Sequence, residues 1–418
     1  MNVIWITNEV LPEASLLRKQ KPSPFGGWLV YASELIAKSE DIHLTIVSPD
    51  ATTNEIITLQ GDHISHIIYP KTLDNHLKTK STIEQILSNI QPDIIHVYGS
   101  ENYHALAVGQ YCKEHKIKFI VSIQGLVSIY ASHYVSGVPA DIQKRYTIRD
   151  FLKHDRIIDQ QVKFEKRGLL ETELIQLTDH VIGRTDWDYA CTKWMNPKAT
   201  YHFCNETLRK GFYDNNWSIE TKISHRLFTS QAYYPIKGFH FLLDAIHILH
   251  GKYPDLTVHV AGEDYFSANN LKAQIKQSSY SKYIRNKIKS LNLSEVIHFT
   301  GVLNEKEMIK EYQQAHTFVM PSTIENSPNS IGEAMILGVP VVAANVGGIG
   351  NLIDHNINGF TYQHDAPYML AHYIDTLWSD NDLAQKISKQ AKQKANLIHH
   401  PITNRDTLIQ IYKDILKE

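Results

Sequence analysis

Thr317-Phe-Val-Met-Pro-Ser322 runs through Ile324-Glu-Asn-Ser-Pro-Asn-Ser-Ile-Gly-Glu-Ala-Met335 into Gly338-Val-Pro-Val-Val-Ala-Ala-Asn345. The flanking apolar runs lack polar alternation, as expected of parallel strands buried on both faces. Between them, Ser327, Pro328, Asn329 and Ser330 suit a helix start, because polar side chains cap free amides and proline needs no donor in the first turn. Glu325 then stays on the loop and Glu333 falls inside the helix. Unpaired first-turn amides and the positive end of the helix dipole attract an anion such as a diphosphate. The two carboxylates could accept hydrogen bonds from a sugar and a ribose on either side of it. The same pair is compatible with a plain helix start, one acid capping and the other solvated. Gly347-Gly348 follows the second strand, where missing side chains would let backbone approach a phosphate or sugar.

The alternation of short Val/Ile-rich runs with helical-length segments extends over the chain. Strands are expected at Val3–Thr7, His43–Pro49, Asp93–Gly99, Lys118–Ile123, His180–Thr185 and Thr200–Cys204. A second series follows at Arg226–Ser230, Leu256–Gly262, Val296–Gly301, Thr317–Ser322, Val339–Asn345 and Phe360–Gln363. This predicts an α/β protein of two doubly wound domains, in keeping with 418 residues, too many for one ordinary core. The expected division is an N-terminal domain over 1–205, a linker over 206–224 rich in turn formers, a C-terminal domain over 225–400, and an amphipathic helix over 401–418. Ligands in such sheets bind at the carboxyl ends of strands, so a substrate crevice is expected where the two sheets face each other.

Forty-two basic against forty-four acidic residues leave a net charge of -2, which offers no global reason to expect nucleic acid as a partner. Cys112, Cys191 and Cys204 form no CxxC pair and no metal-ligand spacing, arguing for a reducing, cytoplasmic setting and against structural zinc. No signal-peptide pattern follows Met1, and no apolar run reaches the roughly 18 residues of a spanning helix, so membrane contact would be peripheral.

Lys237-Gly238 sits at a strand-to-helix junction, where a cation would offset the charge on a departing diphosphate. Without that context, a surface lysine beside a glycine is ordinary. Gly26 and Gly27, in Phe25-Gly26-Gly27-Trp28, could bring amides to a phosphate or form a plain turn. Arg184 ends another strand and would point into the crevice. Asp186-x-Asp188 matches a metal-holding motif of other sugar transferases, but a chain with Lys237 and a helix start for the diphosphate needs no ion, so the match is taken as accidental. His96 and His133 lie at or after strand ends, where either a satisfied polar role or catalysis is open. Arg145, Arg149, Lys153 and Arg156 share one helix face, which is either a solvated stripe or a contact for an anionic membrane.

With Glu325-x7-Glu333, Lys237-Gly238, Gly26-Gly27, Gly347-Gly348 and the twin α/β pattern, the chain resembles the family-four retaining glycosyltransferases of the GT-B fold (glycosyl transferases group 1). The resemblance covers nearly the whole length and is strongest from Thr300-Gly301 to Gly359-Phe360. It implies transfer of a hexose or N-acetylhexosamine from a nucleotide diphosphate donor, UDP-linked by the family's lean, with retention and with no metal or cofactor. The acceptor would be a sugar hydroxyl of a polysaccharide or lipid-linked glycan, and the enzyme would work in the cytoplasm or at the inner face of the membrane. Carried over by position, Glu325 contacts the donor sugar, Glu333 the ribose, and Ser327, Asn329, Ser330 and Ile331 the sugar and phosphates. Lys237 and Gly27, with Gly26, approach the diphosphate, Val302 and Leu303 line the base, and Ser230, Gln231 and Gly262 complete the donor side.

Three departures stand out. The arginine the family usually has shortly before the lysine is missing from Thr229-Ser-Gln-Ala232, so Arg184 would share the diphosphate charge. Gln124 stands where a histidine commonly ends a strand, which passes a catalytic role to His133. Asn351 replaces an acidic residue after Gly-Gly. A nucleotide-sugar 2-epimerase, or a donor-binding protein with little turnover, remains compatible with the same architecture. A nicotinamide dehydrogenase fits less well, because Gly348-Ile-Gly350 is followed by Ile353 at the third glycine position.

Overall fold

The computed structural model describes residues 1–23, 26–72, 76–267 and 274–418; Phe25 of the Gly-Gly motif lies outside the described residues. The chain divides into two compact units, one of Met1–Ser128, Lys166–Arg209 and Ile398–Glu418, the other of Ile129–Glu165 and Lys210–Leu397.

The first unit is built on an eight-stranded sheet. Its strands are β1 (Asn2–Ile6), β2 (His43–Asp50), β3 (Ile57–Gln60), β4 (Ile64–Pro70), β5 (Ile94–Tyr98), β6 (Lys118–Ser122), β7 (His180–Gly183) and β8 (Thr200–Phe203). They run in the order β3-β4-β2-β1-β5-β6-β7-β8, all parallel except for the antiparallel β3–β4 pair. Sequence reading missed that pair, although Gly61-Asp62 separates two β-rich runs and marks a turn. The central strands are mostly apolar, with Ile4, Trp5, Ile6, Ile94, Ile95 and Val97 at most 1% exposed and His96 the buried polar exception in β5.

The C-terminal helix, Pro401–Lys417, is part of this unit's core. Its Leu408, Ile411, Tyr412 and Ile415 share one cluster with Val3, Trp5 and Ile46. A buried polar chain locks the register: Trp5 Nε1 donates to the Tyr412 hydroxyl at 3.0 Å, which meets His96 Nδ1 at 2.5 Å, while His96 Nε2 meets Ser122 Oγ at 2.7 Å. Burial lowers the His96 pKa to about 3, so the ring is neutral at physiological pH and serves the packing.

Glu171 is fully buried in the same unit. It accepts hydrogen bonds from the amides of Val127 (3.1 Å) and Ser128 (2.9 Å) and from the hydroxyls of Ser128 (2.5 Å) and Ser100 (3.0 Å). Burial nonetheless outweighs these donors and raises its pKa to about 7. The folded chain therefore holds this proton more tightly than the unfolded chain does. The group's contribution is complete below the ordinary carboxylate range and is lost as pH rises to about 7, a swing of up to about 3 kcal/mol. Urea unfolding between pH 5 and 8 should show the wild type losing stability relative to Glu171→Gln; parallel profiles would contradict this.

The second unit holds a six-stranded, wholly parallel sheet. Its strands are β9 (Arg226–Thr229), β10 (Thr257–Val260), β11 (Ile297–Phe299), β12 (Thr317–Met320), β13 (Val341–Ala344) and β14 (Phe360–Tyr362). The order β11-β10-β9-β12-β13-β14 reverses between β9 and β12. At such a switch point the connections leave in opposite directions and a crevice opens at the carboxyl ends. Phe228, Phe318, Val319, Val341 and Val342 are completely buried, each side chain contributing roughly 1.5–3 kcal/mol through burial.

Two segments depart from the expected division. Residues 129–165 belong to the second unit: Tyr134, Val138 and Ile142 are buried, and the Ser136 carbonyl lies 3.0 Å from His240 Nε2. The stretch expected as a linker is also packed. Leu208 and Phe212 are 0% exposed, and Trp217 donates from Nε1 to the Ala315 carbonyl at 2.7 Å and from its amide to Leu337 at 2.8 Å.

Candidate donor site

Because β9 and β12 are neighbours at the reversal of strand order, the loops that leave them are brought together. After β9 the chain makes a short 3-10 turn, Pro235–Lys237, and turns into the helix Phe239–His250 through Gly238 at φ 65°. The loop after β12 passes so close that a Cβ on Gly238 would lie 1.8 Å from the Pro321 carbonyl oxygen. The loops are tied further by the Thr323 amide, which donates to the Ile236 carbonyl at 2.7 Å.

That contact fixes the charges. Lys237 Nζ lies 2.6 Å from Glu325 Oε1 with side-chain exposures of only 18% and 10%, and Ser322 Oγ donates to the same oxygen at 2.9 Å. Among the described residues both partners take Oε1, which leaves Oε2 to receive a ligand hydroxyl. Burial opposes the Lys237 charge, but the Glu325 carboxylate and the adjacent Tyr234 more than compensate and raise its pKa, so the ammonium persists at any physiological pH. Its Nζ also stands 5.6 Å from the centre of the Tyr234 ring.

Glu325 is held from behind. Gly348 donates its amide to the Glu325 carbonyl at 3.0 Å, and at Gly347, with φ 52°, a Cβ would come within 1.9 Å of that oxygen. Close approach at Gly347 is therefore required by the loop that carries Glu325.

The helix Asn329–Leu337 begins at Pro328, whose side chain makes no capping hydrogen bond. The helix start expected at Ser327, Pro328, Asn329 and Ser330 is where the helix begins, but without the expected polar cap, because the N-cap position falls on proline. The first amides of a helix find no partner four residues back within it, and the dipole adds about half a positive charge at this end. Ser327 is buried and Asn329 and Ser330 are half-buried. Ile331 is wholly buried and its amide donates to Pro328 at 3.0 Å. Glu333 is 6% exposed within the helix.

On the other side of the switch point, Ser230 and Gln231 follow β9 half-buried. Gly262 after β10 and Gly301 after β11 exchange two backbone hydrogen bonds of 3.0 and 3.2 Å. Both have positive φ, 114° and 75°, and a Cβ on either would meet nothing within 4 Å. These bare backbones and the exposed Val302 with half-buried Leu303 form a low floor at the carboxyl edge of the sheet. His133 also belongs to this unit. Its carbonyl accepts from Thr323 Oγ1 at 3.2 Å, and burial with the nearby His364 lowers its ring pKa, favouring the neutral form. Sequence reasoning missed Ser322, Thr323 and Tyr234; the polar Pro-Ser-Thr directly after a buried strand was the available signal.

Gly26, Gly27 and Arg184 lie in the first unit. Gly26, at φ 73°, is the N-cap of the helix Gly27–Ala37 with no side-chain cap. The role expected for Arg184 as a substitute diphosphate cation is not supported. The side chain is buried, with Nη1 2.6 Å from Glu206 Oε2 and Nη2 donating to the Ile123 and Gln124 carbonyls at 3.4 and 3.3 Å. Gln124 Nε2 binds the other Glu206 oxygen at 2.7 Å. A guanidinium desolvated against a carboxylate is already neutralised. Asp188 closes a capping box with Thr185 and is completely buried, which accounts for the Asp-x-Asp spacing. Among the described residues no group of three or more His, Cys, Asp or Glu is arranged to hold a metal ion.

Residues 221–394 match the model of the family Glycosyl transferases group 1. The chain is similar to a D-inositol 3-phosphate glycosyltransferase of Corynebacterium urealyticum, 26% identical over 180 residues that cover 43% of this chain and 41% of the relative. The chain spans about half or less of the length of the curated relatives it matches. Among solved structures it superimposes on a sucrose-phosphate synthase from Thermosynechococcus elongatus with a TM-score of 0.73 at 15% identity, covering 100% of this chain and 99% of the other. It also superimposes on HepE from Anabaena in complex with UDP-glucose, with a TM-score of 0.69 at 15% identity, covering 99% and 100%. The fold is GT-B, and the stretch that matches the group 1 glycosyltransferase model lies within its second unit.

Proposed function

We propose that this chain is a retaining glycosyltransferase that moves a hexose or N-acetylhexosamine from a UDP-linked donor to a sugar hydroxyl of a polysaccharide or lipid-linked glycan, without a metal. The observation that carries this is the Lys237–Glu325 pair, 2.6 Å apart at the switch point of the sheet and followed by a helix start with no side-chain cap. A diphosphate seated there meets the ammonium and the first-turn amides, which together offset the charge that grows as the donor bond breaks. Glu325 Oε2 orients the sugar, Glu333 holds the ribose, and the Gly262–Gly301 floor with Val302 and Leu303 accepts the base. The leaving phosphate oxygen takes the acceptor's proton as that hydroxyl attacks from the same face. The donor C–O bond breaks, the new C–O bond forms, and UDP leaves carrying the proton. His133, neutral and beside Thr323, stands in reserve for contacts to the reacting sugar.

The reading is supported by the group 1 match over the donor unit and by the fold shared with a protein solved with UDP-glucose. Thermal melting with UDP, ADP, GDP and their sugars tests it. UDP-glucose or UDP-N-acetylglucosamine at about 100 times its dissociation constant should add about 2.7 kcal/mol of stability, with the same gain in EDTA as in magnesium. Stabilisation and transfer that vanish in EDTA and return with manganese would overturn metal independence. Isomerised sugar from donor alone would replace transfer by epimerisation.

A further inference from the structure

The expected single helix face of Arg145, Arg149, Lys153 and Arg156 is corrected: Arg145 ends the helix Ala140–Lys144, Arg149 and Lys153 lie in Ile148–Lys153, and Arg156 precedes the next helix. The three arginines are neutralised by local pairing. Arg145 meets Asp141, Arg149 meets Asp155 and Arg156 meets Asp159, each at 2.7 Å. What these residues leave facing outward is apolar. Tyr146, Ile148, Phe151 and Leu152 are 51, 60, 66 and 73% exposed, gathered around the short helix Ile148–Lys153 between exposed Lys144 and Lys153. Asp150 is the acid of this stretch, and it is fully buried, receiving the Ser279 amide at 2.7 Å. The exposed side chains from Lys144 to His154 are therefore apolar, cationic or histidine, with no anion among them.

The charge continues on the adjoining element. The helix Ser279–Ser290 packs against the helix Ala140–Lys144 and carries Lys282, Arg285, Lys287 and Lys289 with no acidic residue. Lys287 is paired with Asp244, whereas Lys282 and Lys289 are exposed. Apolar side chains standing out from a cationic rim match one partner chemistry well, an interface whose anionic headgroups overlie hydrocarbon. Self-association fits poorly, because a two-fold contact would press Lys144 and Lys153 of one copy against those of the other.

The geometry points to Tyr146, Ile148, Phe151 and Leu152, rimmed by Lys144, Lys153, Lys282 and Lys289, as a docking surface for an anionic lipid bilayer. Among the described residues no helix is long and apolar enough to cross a membrane, so attachment here is interfacial and reversible. It would hold the enzyme where a lipid-linked acceptor is presented. Vesicle binding requires no nucleotide, so its failure is separate from any failure of the donor site.

Co-sedimentation with phosphatidylcholine vesicles, with and without phosphatidylglycerol, tests it. The protein should pellet with the anionic vesicles, much less with the neutral ones, and release at high salt. The double variant Phe151→Asp/Leu152→Asp and the double variant Lys144→Glu/Lys153→Glu should each weaken binding at least about tenfold while melting like the wild type. No binding to anionic vesicles, or undiminished binding by folded variants, would overturn the assignment. So would a dimer in sedimentation that the Asp pair dissolves while vesicle binding is absent.

Discussion

Replacing Lys237 by alanine should lower the rate of sugar transfer about 10²–10³-fold, the scale of removing one preorganised donor from a developing anion. The loss should appear in kcat, because charge on the diphosphate grows as the bond to the sugar breaks, and the ammonium is worth most at that moment. The pair geometry suits this role. Glu325 keeps the ammonium charged and holds it in a site where the two side chains are only 18% and 10% exposed. Glu325→Gln keeps the shape and one acceptor but removes the charge, so it should impair transfer while leaving UDP affinity less affected than Lys237→Ala does. Near-normal turnover by Lys237→Ala would remove the lysine from the chemistry.

Gly238→Ala should be the most damaging single methyl in the second unit. A side chain at φ 65° is disfavoured by itself, and the added carbon would lie 1.8 Å from the Pro321 oxygen and 2.7 Å from its carbonyl carbon. Neither atom belongs to a flexible side chain. Relief requires the loops after β9 and β12 to separate, which breaks the Thr323–Ile236 hydrogen bond and parts Lys237 from Glu325. A loss of about 4 kcal/mol or more in chemical unfolding, with abolition of UDP binding, is expected. Gly262→Ala is the matched control. Its φ of 114° is also unfavourable, but its space is open, so the cost should stay near the 1–3 kcal/mol of backbone strain. Equal, small effects at both positions would show that the loops do not meet as described.

The sheet of the second unit was legible mainly from its central strands β12 and β13, uninterrupted apolar runs of the kind that burial on both faces leaves. The pairing of Lys237 with Glu325 was legible only as a shared neighbourhood. That the two touch follows from β9 lying beside β12, which hydrophobic pattern alone does not state. Arg184 was misread for the corresponding reason: Glu206, on the segment after β8, has no sequence mark that announces a buried partner. Gly347 was recognised as a site of close approach, but what approaches it is the carbonyl of Glu325. Residues 129–165 join the second unit through Ser136 and Asp150, contacts over more than a hundred residues that carry no local periodicity. The β3–β4 pair, by contrast, was readable and overlooked.

The account is tested most directly by a crystal structure with a UDP-sugar bound. It predicts diphosphate oxygens about 3 Å from Lys237 Nζ and from the first-turn amides of the helix Asn329–Leu337, with the sugar hydroxyls on Glu325 and the ribose on Glu333. A nucleotide seated elsewhere, with the Lys237–Glu325 pair untouched by it, would contradict the account.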